Sequence, residues 1–417
     1  MELVSRSYHP ARSRFSGYRR GRSTWSRGIF AAVLFLAAAQ AKGDEPPSPP
    51  SGLGSEVFYT NVVIPAVPWS IHVVQIPRAG ARFDIQARHA GEGALGLSTL
   101  RDQIATLNPA LGQPVAAING GFYKRDTAYA GGARGLQIVA GEVISAPVGN
   151  ASLWIDIGGE PHLENVISRF QIIWPDGKVS PFGLNEARPD DGVVLYTPAV
   201  GASTHTVGGL EFVLERQPRS RWLPLRMGQF YSARVREVRS EGNTSLSPDT
   251  MILSLGPAAM NGVPSIGTNT TLQISTASIP SLSVARTALS GGPVLVRGGK
   301  RQKIRAAEDD AYEFSSMLER HPRSAIGWNQ QRYFLVEVDG RQRDVSEGMT
   351  LEEFSDYLRK LGCDEALNLD GGGSATLWYD GEVRNSPCDG YERTIANSLV
   401  VVRKAARGGN RNLTKQR

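Results

Sequence analysis

The sequence predicts an α+β fold: a mixed β-sheet core with packed helices and a β-rich central insertion. Three observations predict it. The 46 glycines and 25 prolines among 417 residues imply many tight turns and short strands. Residues 57–90 alternate apolar and polar, most clearly in Ser70–Ile76 and Arg82–Ala87. Two stretches carry helical periodicity instead, and each leads into a short apolar strand and a glycine turn.

Residues 1–41 read as an export signal. Basic residues precede the apolar run Ile29–Ala39, and Ala39-Gln40-Ala41 fits a small-residue cleavage site. Eleven apolar residues are too few to span a bilayer comfortably, so no stable membrane span is expected after cleavage, and the body is expected to be secreted or periplasmic. Residues 42–54 (KGDEPPSPPSGLG) form a Pro-rich linker without the apolar content to pack. One domain is expected over 55–404, followed by a basic tail at 405–417.

Charge narrows the partners. The formal net charge is +6, but residues 1–41 hold seven arginines and one acid, and residues 403–417 add six more basic residues and no acid. The body between is about −6 and offers no basic face for nucleic acid.

Within the domain, Ser98 caps a helix whose Leu100, Ile104 and Leu107 share a face, and Asn108-Pro109 ends it. The strand Val115–Ile118 then runs into Asn119-Gly120-Gly121-Phe122. Residues 165–280 are rich in short strands and form the expected insertion. Ala288-Leu289 leads into Ser290-Gly291-Gly292-Pro293. Thr350 with Glu353 forms a capping box, Leu351, Phe354, Leu358 and Leu361 line one face, and Gly362 stops that helix. The strand Ala366–Leu369 ends in Asp370-Gly371-Gly372-Gly373-Ser374. Recurrence of a strand followed by a doublet-glycine turn suggests related units packed around one centre, with the three turns together.

The last turn is the hardest to explain as scaffold. A carboxylate at a strand end followed by bare backbone suits a ligand site, with successive N–H groups turned inward as an anion nest. No lysine follows, so it is not a P-loop. Arg323 and Arg393 offer planar cations suited to phosphate, although either also suits a surface ion pair. His321 is a candidate site histidine, and His205 a weaker one. The chain has no G-x-S-x-G elbow and no H-E-x-x-H, which removes support for serine-hydrolase and zinc-protease readings. Cys363 and Cys388 flank the Asp370 loop, and a disulfide between them and two unpaired thiols both remain open. Neither cysteine has a second Cys or His at metal-ligand spacing.

The segments Asn119-Gly-Gly-Phe122, Ser290-Gly-Gly-Pro293, Arg323-Ser-Ala-Ile-Gly327 and Asn368-Leu-Asp-Gly-Gly-Gly-Ser-Ala-Thr376 resemble the successive motifs of the phosphodiester glycosidase family. The resemblance covers about residues 110–403. It is most specific over 320–403, where it continues through Asn385-Ser386-Pro387 and Arg393. Ser324 stands where the family often has Thr. The resemblance implies hydrolysis of a sugar-1-phosphodiester at the glycosyl–phosphate bond of a glycan, releasing free sugar. It implies Asp370 as the main carboxylate, and Arg323 and Arg393 as the phosphate clamp, with N–H groups of Gly371, Gly372 and Gly373. It implies that Asn119, Gly120, Gly121, Ser290, Gly291, Gly292, His321 and Ser374 contact substrate. No cofactor is required, although the oxygen-rich turns leave room for Ca²⁺. Glu365 and Asp364 lie before the strand and have no assigned role. A non-catalytic glycan-binding module and a phosphodiesterase that breaks P–O are the alternatives.

Overall fold

The computed structural model describes residues 56–91, 94–125, 128–304 and 318–405. The export signal and linker expected at 1–54, and nearly all of the basic tail, lie outside these residues.

The α+β expectation is overturned. The described chain is mostly β, with a nearly closed, barrel-like sheet. Among the described residues there are two α-helices, Leu100–Ala105 and Leu351–Lys360. Helical periodicity was confined to these two short stretches, and both lie on outer faces of sheets rather than forming a layer. Thr99, not Ser98, caps the first, accepting from the Asp102 N–H. The Thr350–Glu353 capping box is present on the second.

Among the described residues the strands form sheets of seven, twelve and five. The seven-stranded sheet runs in the order 58–64, 69–77, 332–338, 323–328, 365–368, 294–297, 300–301, with antiparallel pairing throughout. The five-stranded sheet runs 382–383, 377–379, 113–119, 397–403, 83–89. Val74, Ile76, Ile326, Leu335 and Leu367 of the first share one core with Ile85, Ile118, Leu377, Leu399 and Val401 of the second. Leu153, Ile155 and Leu289 of the twelve-stranded sheet complete that core. The opposite face of the seven-stranded sheet packs on Leu351, Phe354 and Leu358 of the second helix. The first helix covers Ala117, Val400 and Val402 on the outside of the small sheet.

The strands within 165–280 belong to the twelve-stranded sheet together with Gln137–Val139, Val148–Asp156 and Ala285–Ser290. Leu136, Ile138, Trp154 and Ala288 bury into the same core as Phe170, Phe212 and Ile274. That region is therefore continuous in sheet and core with the segments that flank it.

Candidate active site

The three glycine turns meet. The Asp370 N–H donates to the Gly120 carbonyl at 3.0 Å, and the Gly292 N–H donates to the Asn368 carbonyl at 2.8 Å. Gly121 lies so close to the Ser290 carbonyl that a Cβ there would overlap it. Strand ends from all three sheets thus contribute backbone to one place. The same convergence sets Gly371 against Pro322, where a Cβ would come within 2.6 Å of the carbonyl oxygen.

Around the meeting point is an open pocket. Asp370, Gly371, Gly372, Gly373, Gly292, His321, Arg323, Arg393 and Phe122 line it. Arg341 lines it too, so among the lining residues Asp370 is the one carboxylate, whereas there are three arginines, Arg323, Arg341 and Arg393.

Asp370 is half-buried, and burial pushes its carboxyl up to about 6. Ser374, the Gly371 N–H, Arg393 and Arg125 oppose that rise. The Gly371 N–H reaches Asp370 Oδ1 at 3.0 Å. Ser374 is buried and also interacts with the Tyr123 hydroxyl, which donates to the Thr394 carbonyl at 3.1 Å. Tyr123 and Ser374 therefore stand behind the carboxylate as a polar support.

Arg323 is buried. Its Nε donates to the Met349 carbonyl at 2.9 Å and one Nη to the Glu319 carbonyl at 2.8 Å. Burial, with Arg341 adding repulsion, lowers its guanidinium to about 10. Arg341 has a left-handed backbone (φ 59°) and sits against Gly372. It donates to His321 Nδ1 at 3.2–3.3 Å. A ring whose Nδ1 accepts must carry its proton on Nε2, and that nitrogen faces Glu319 at 3.4 Å. Burial, Arg323 and Arg341 depress the His321 pKa, which favours the neutral ring. Arg393 reaches the pocket past Gly373, but its Nε and one Nη both bond Asp389, at 3.0 and 2.6 Å.

Several expected contact residues sit behind the pocket wall. Asn119 is 1% exposed. Its Oδ1 accepts from Ser324 Oγ (2.7 Å) and the Thr376 N–H (3.2 Å), and its Nδ2 donates to the Asp370 carbonyl (2.7 Å) and more weakly to Gly120. Those bonds occupy its amide, so Asn119 positions Asp370 rather than presenting itself to a sugar. Ser290 is likewise buried, bonded to Ser152, Asn150 and the Leu136 N–H. Gly120, Gly121 and Gly291 pack as backbone beneath the pocket, where Gly291 donates to the Ala151 carbonyl. Of the expected nest, Gly371 donates to Asp370 and Gly372 to the Pro322 carbonyl, so two of the three donors are engaged within the protein. His205 lies away from the pocket, beside Tyr129 and Ser203.

The disulfide is absent: both cysteines are free thiols. Cys363 is buried against Gly327 before the strand Glu365–Asn368, whereas Cys388 lies beside Asp389 at the loop beyond it. Seven residues of extended chain from Cys363 to Asp370 span roughly 20 Å, far beyond a disulfide's reach.

Arg341 was missed by the sequence reading. Its signal was Asp339-Gly340-Arg341, a turn with a cation directly after the strand Arg332–Val338, but nothing in the sequence aims that turn at the Asp370 loop.

Residues 228–402 match the family model for phosphodiester glycosidases. Over 83 residues the chain is 35% identical to the SPbeta prophage-derived uncharacterized protein YomE of Bacillus subtilis (strain 168), which is 20% of this chain and 13% of that one. A hypothetical protein from Synechocystis superposes with a TM-score of 0.63 at 21% identity, covering 82% of this chain and 61% of that one. A presumed exported protein of Burkholderia pseudomallei K96243 gives a TM-score of 0.61 at 19% identity, covering 80% and 74%. The chain thus spans less than two thirds of YomE and of the Synechocystis protein, and at these identities the two structures speak for the fold. Three of the four motif segments, at residues 290–293, 323–327 and 368–376, fall inside that match, and residues 228–402 belong to the phosphodiester glycosidase family.

Proposed function

We propose that this protein is an exported hydrolase that cleaves the glycosyl–phosphate bond of sugar-1-phosphodiesters in a glycan, capsule or wall polymer. The observation that carries the reading is a single lining carboxylate among three arginines. Ordinary glycosidases pair two carboxyl groups because one must protonate a poor leaving group. A phosphate monoester leaves with the bonding electron pair unaided, so the second carboxyl is dispensable and cations that hold the departing oxygens take its place.

In this reading Asp370 faces the anomeric carbon and meets the positive charge that develops there as the C–O bond breaks. Arg323 and Arg341 take the phosphate oxygens, and neutral His321 donates through Nε2. Water supplies hydroxyl to the sugar and its remaining proton to the medium. Arg393 contributes its charge, with its geometry fixed by Asp389. The chemistry calls for no cofactor. Export rests on the N-terminal signal pattern; among the described residues no helix is long and apolar enough to cross a membrane.

Hydrolysis of a panel of sugar-1-phosphodiesters in ¹⁸O-labelled water tests this. Label in the sugar supports C–O cleavage, label in phosphate means a phosphodiesterase, and no turnover across the panel means a glycan-binding module.

A further inference from the structure

The seven-stranded sheet carries polar groups in its core that the hydrolytic reading does not use. His72 and Glu337 are direct partners across the antiparallel strands Trp69–Pro77 and Arg332–Val338. Asp339 follows two residues on and shares their face. Their neighbours on that face are Val74, Ile76, Tyr333 and Leu335, all core residues. His72, Glu337 and Asp339 are 2%, 0% and 1% exposed. One ligand-capable atom from each lies within 4.8 Å of the other two.

The bonding around them is incomplete in one place. His72 Nδ1 is 2.8 Å from the Tyr59 hydroxyl, and Nε2 is 2.8 Å from Asp339 Oδ2. Ser70 Oγ is 3.3 Å from the same Nε2, and Asp339 Oδ1 accepts from the Ser386 N–H at 2.7 Å. Neither oxygen of Glu337 has a hydrogen-bond partner. Asn385, whose amide donates one hydrogen to the Ala375 carbonyl at 3.1 Å, comes near enough to favour the carboxylate. Two carboxyl groups adjoin in the core beside one imidazole, and among the described residues no arginine or lysine is bonded to either. Burying a carboxyl such as that of Glu337 without a partner is costly, and folded proteins resolve it with a partner charge or a metal. Protonating Glu337 removes its charge but still leaves an O–H and a C=O without partners.

We propose that His72 Nε2, Asp339 Oδ2 and the Glu337 carboxylate hold a divalent transition-metal ion of the Zn²⁺ or Mn²⁺ kind. One imidazole and two carboxylates are donors suited to those ions, whereas Ca²⁺ needs six or more oxygens. Tyr59 on Nδ1 is the partner that fixes the ring and directs Nε2 at the ion. The ion is a structural staple. It locks the Asp339 turn that presents Arg341 two residues later. It also braces Ser324, the cross-strand partner of Glu337 on the other side, whose hydroxyl holds Asn119. This inference stands apart from the hydrolytic reading.

The full chain, stripped with chelator and then dialysed separately against Zn²⁺ and Mn²⁺, is assayed for bound metal by mass spectrometry and for thermal unfolding with and without chelator. About one tightly held ion per chain is expected with one of the two metals, together with a higher Tm than the stripped protein. Glu337→Gln and His72→Gln should each lose that ion, whereas Asp370→Asn should keep it. No retained metal and an unchanged Tm in the wild-type chain would overturn the proposal, as would equal metal uptake by E337Q. The wild-type measurements decide even if the substituted chains fail to fold.

Discussion

At the scale of single residues, the proposed reaction turns on Asp370. Its burial raises the carboxyl to about 6, so the ionised form needed to face a developing cation accumulates only as pH rises through that value. The acid limb of kcat/KM should therefore rise through about pH 6, and a limb near pH 4 would remove Asp370 from the role. Because the folded pKa exceeds the usual value, the folded chain binds the extra proton between about pH 4 and 6, and this group's contribution to stability falls as pH rises across that window. Asp370→Asn should lower kcat roughly 100-fold or more while its Tm, relative to wild type, improves on going from pH 4 to pH 7. Near-normal turnover, or a Tm difference that ignores pH, would contradict this. Arg341 gives a cleaner test of the phosphate clamp than Arg323, which also bonds two carbonyls of its own chain. Arg341→Ala should raise KM for phosphodiester substrates about tenfold or more and leave a neutral glycoside of the same sugar unaffected. Equal losses on both would refute the clamp.

At the scale of elements, the site is built where strand ends from separate sheets meet, and Asn119 is the clasp. It links the Gly120 turn to Ser324 on one strand, and to Thr376 and the Asp370 carbonyl on the loop beyond another. Removing the amide leaves buried partners unpaired. Asn119→Ala should cost about 1–3 kcal/mol in denaturant unfolding and reduce kcat by misplacing Asp370. A variant of normal stability would show that the clasp carries little. The turn residues themselves were legible in the sequence, as were the capping box and Gly362 after it, because cap and turn chemistry are local. The role of Asn119 was not, because a buried amide and a ligand-binding amide look alike until their neighbours are known. The bridging of Cys363 to Cys388 was left open for the same reason: nearness in sequence to one loop says nothing about which end of a strand each thiol occupies.

At the scale of the whole molecule, strand content dominates, and the region 165–280 is bound into it. Leu136, Ile138, Trp154 and Ala288 outside that region bury against Phe170, Phe212 and Ile274 inside it. Ser290, which leads into the second glycine turn, ends a strand of the same sheet. Excising 165–280 and joining its ends should therefore expose apolar core and yield a chain that aggregates or binds a hydrophobic dye without a cooperative melt. A soluble, cooperatively folding product would show that the flanking segments stand alone.

The order of motifs, the carboxylate at the strand end, the glycine turns and the family resemblance were fixed by local chemistry, which neighbouring residues alone express: capping, turn propensity and alternation need no distant partner. Tertiary structure alone decided that Arg341 joins the pocket, that Asn119 and Ser290 stand behind its wall, and that sheets rather than a helical layer enclose the core, whereas the meeting of the three turns was already expected from their recurrence. Each of those outcomes depends on which strand pairs with which across hundreds of residues, and pairing follows from burial of whole faces rather than from any short stretch of sequence.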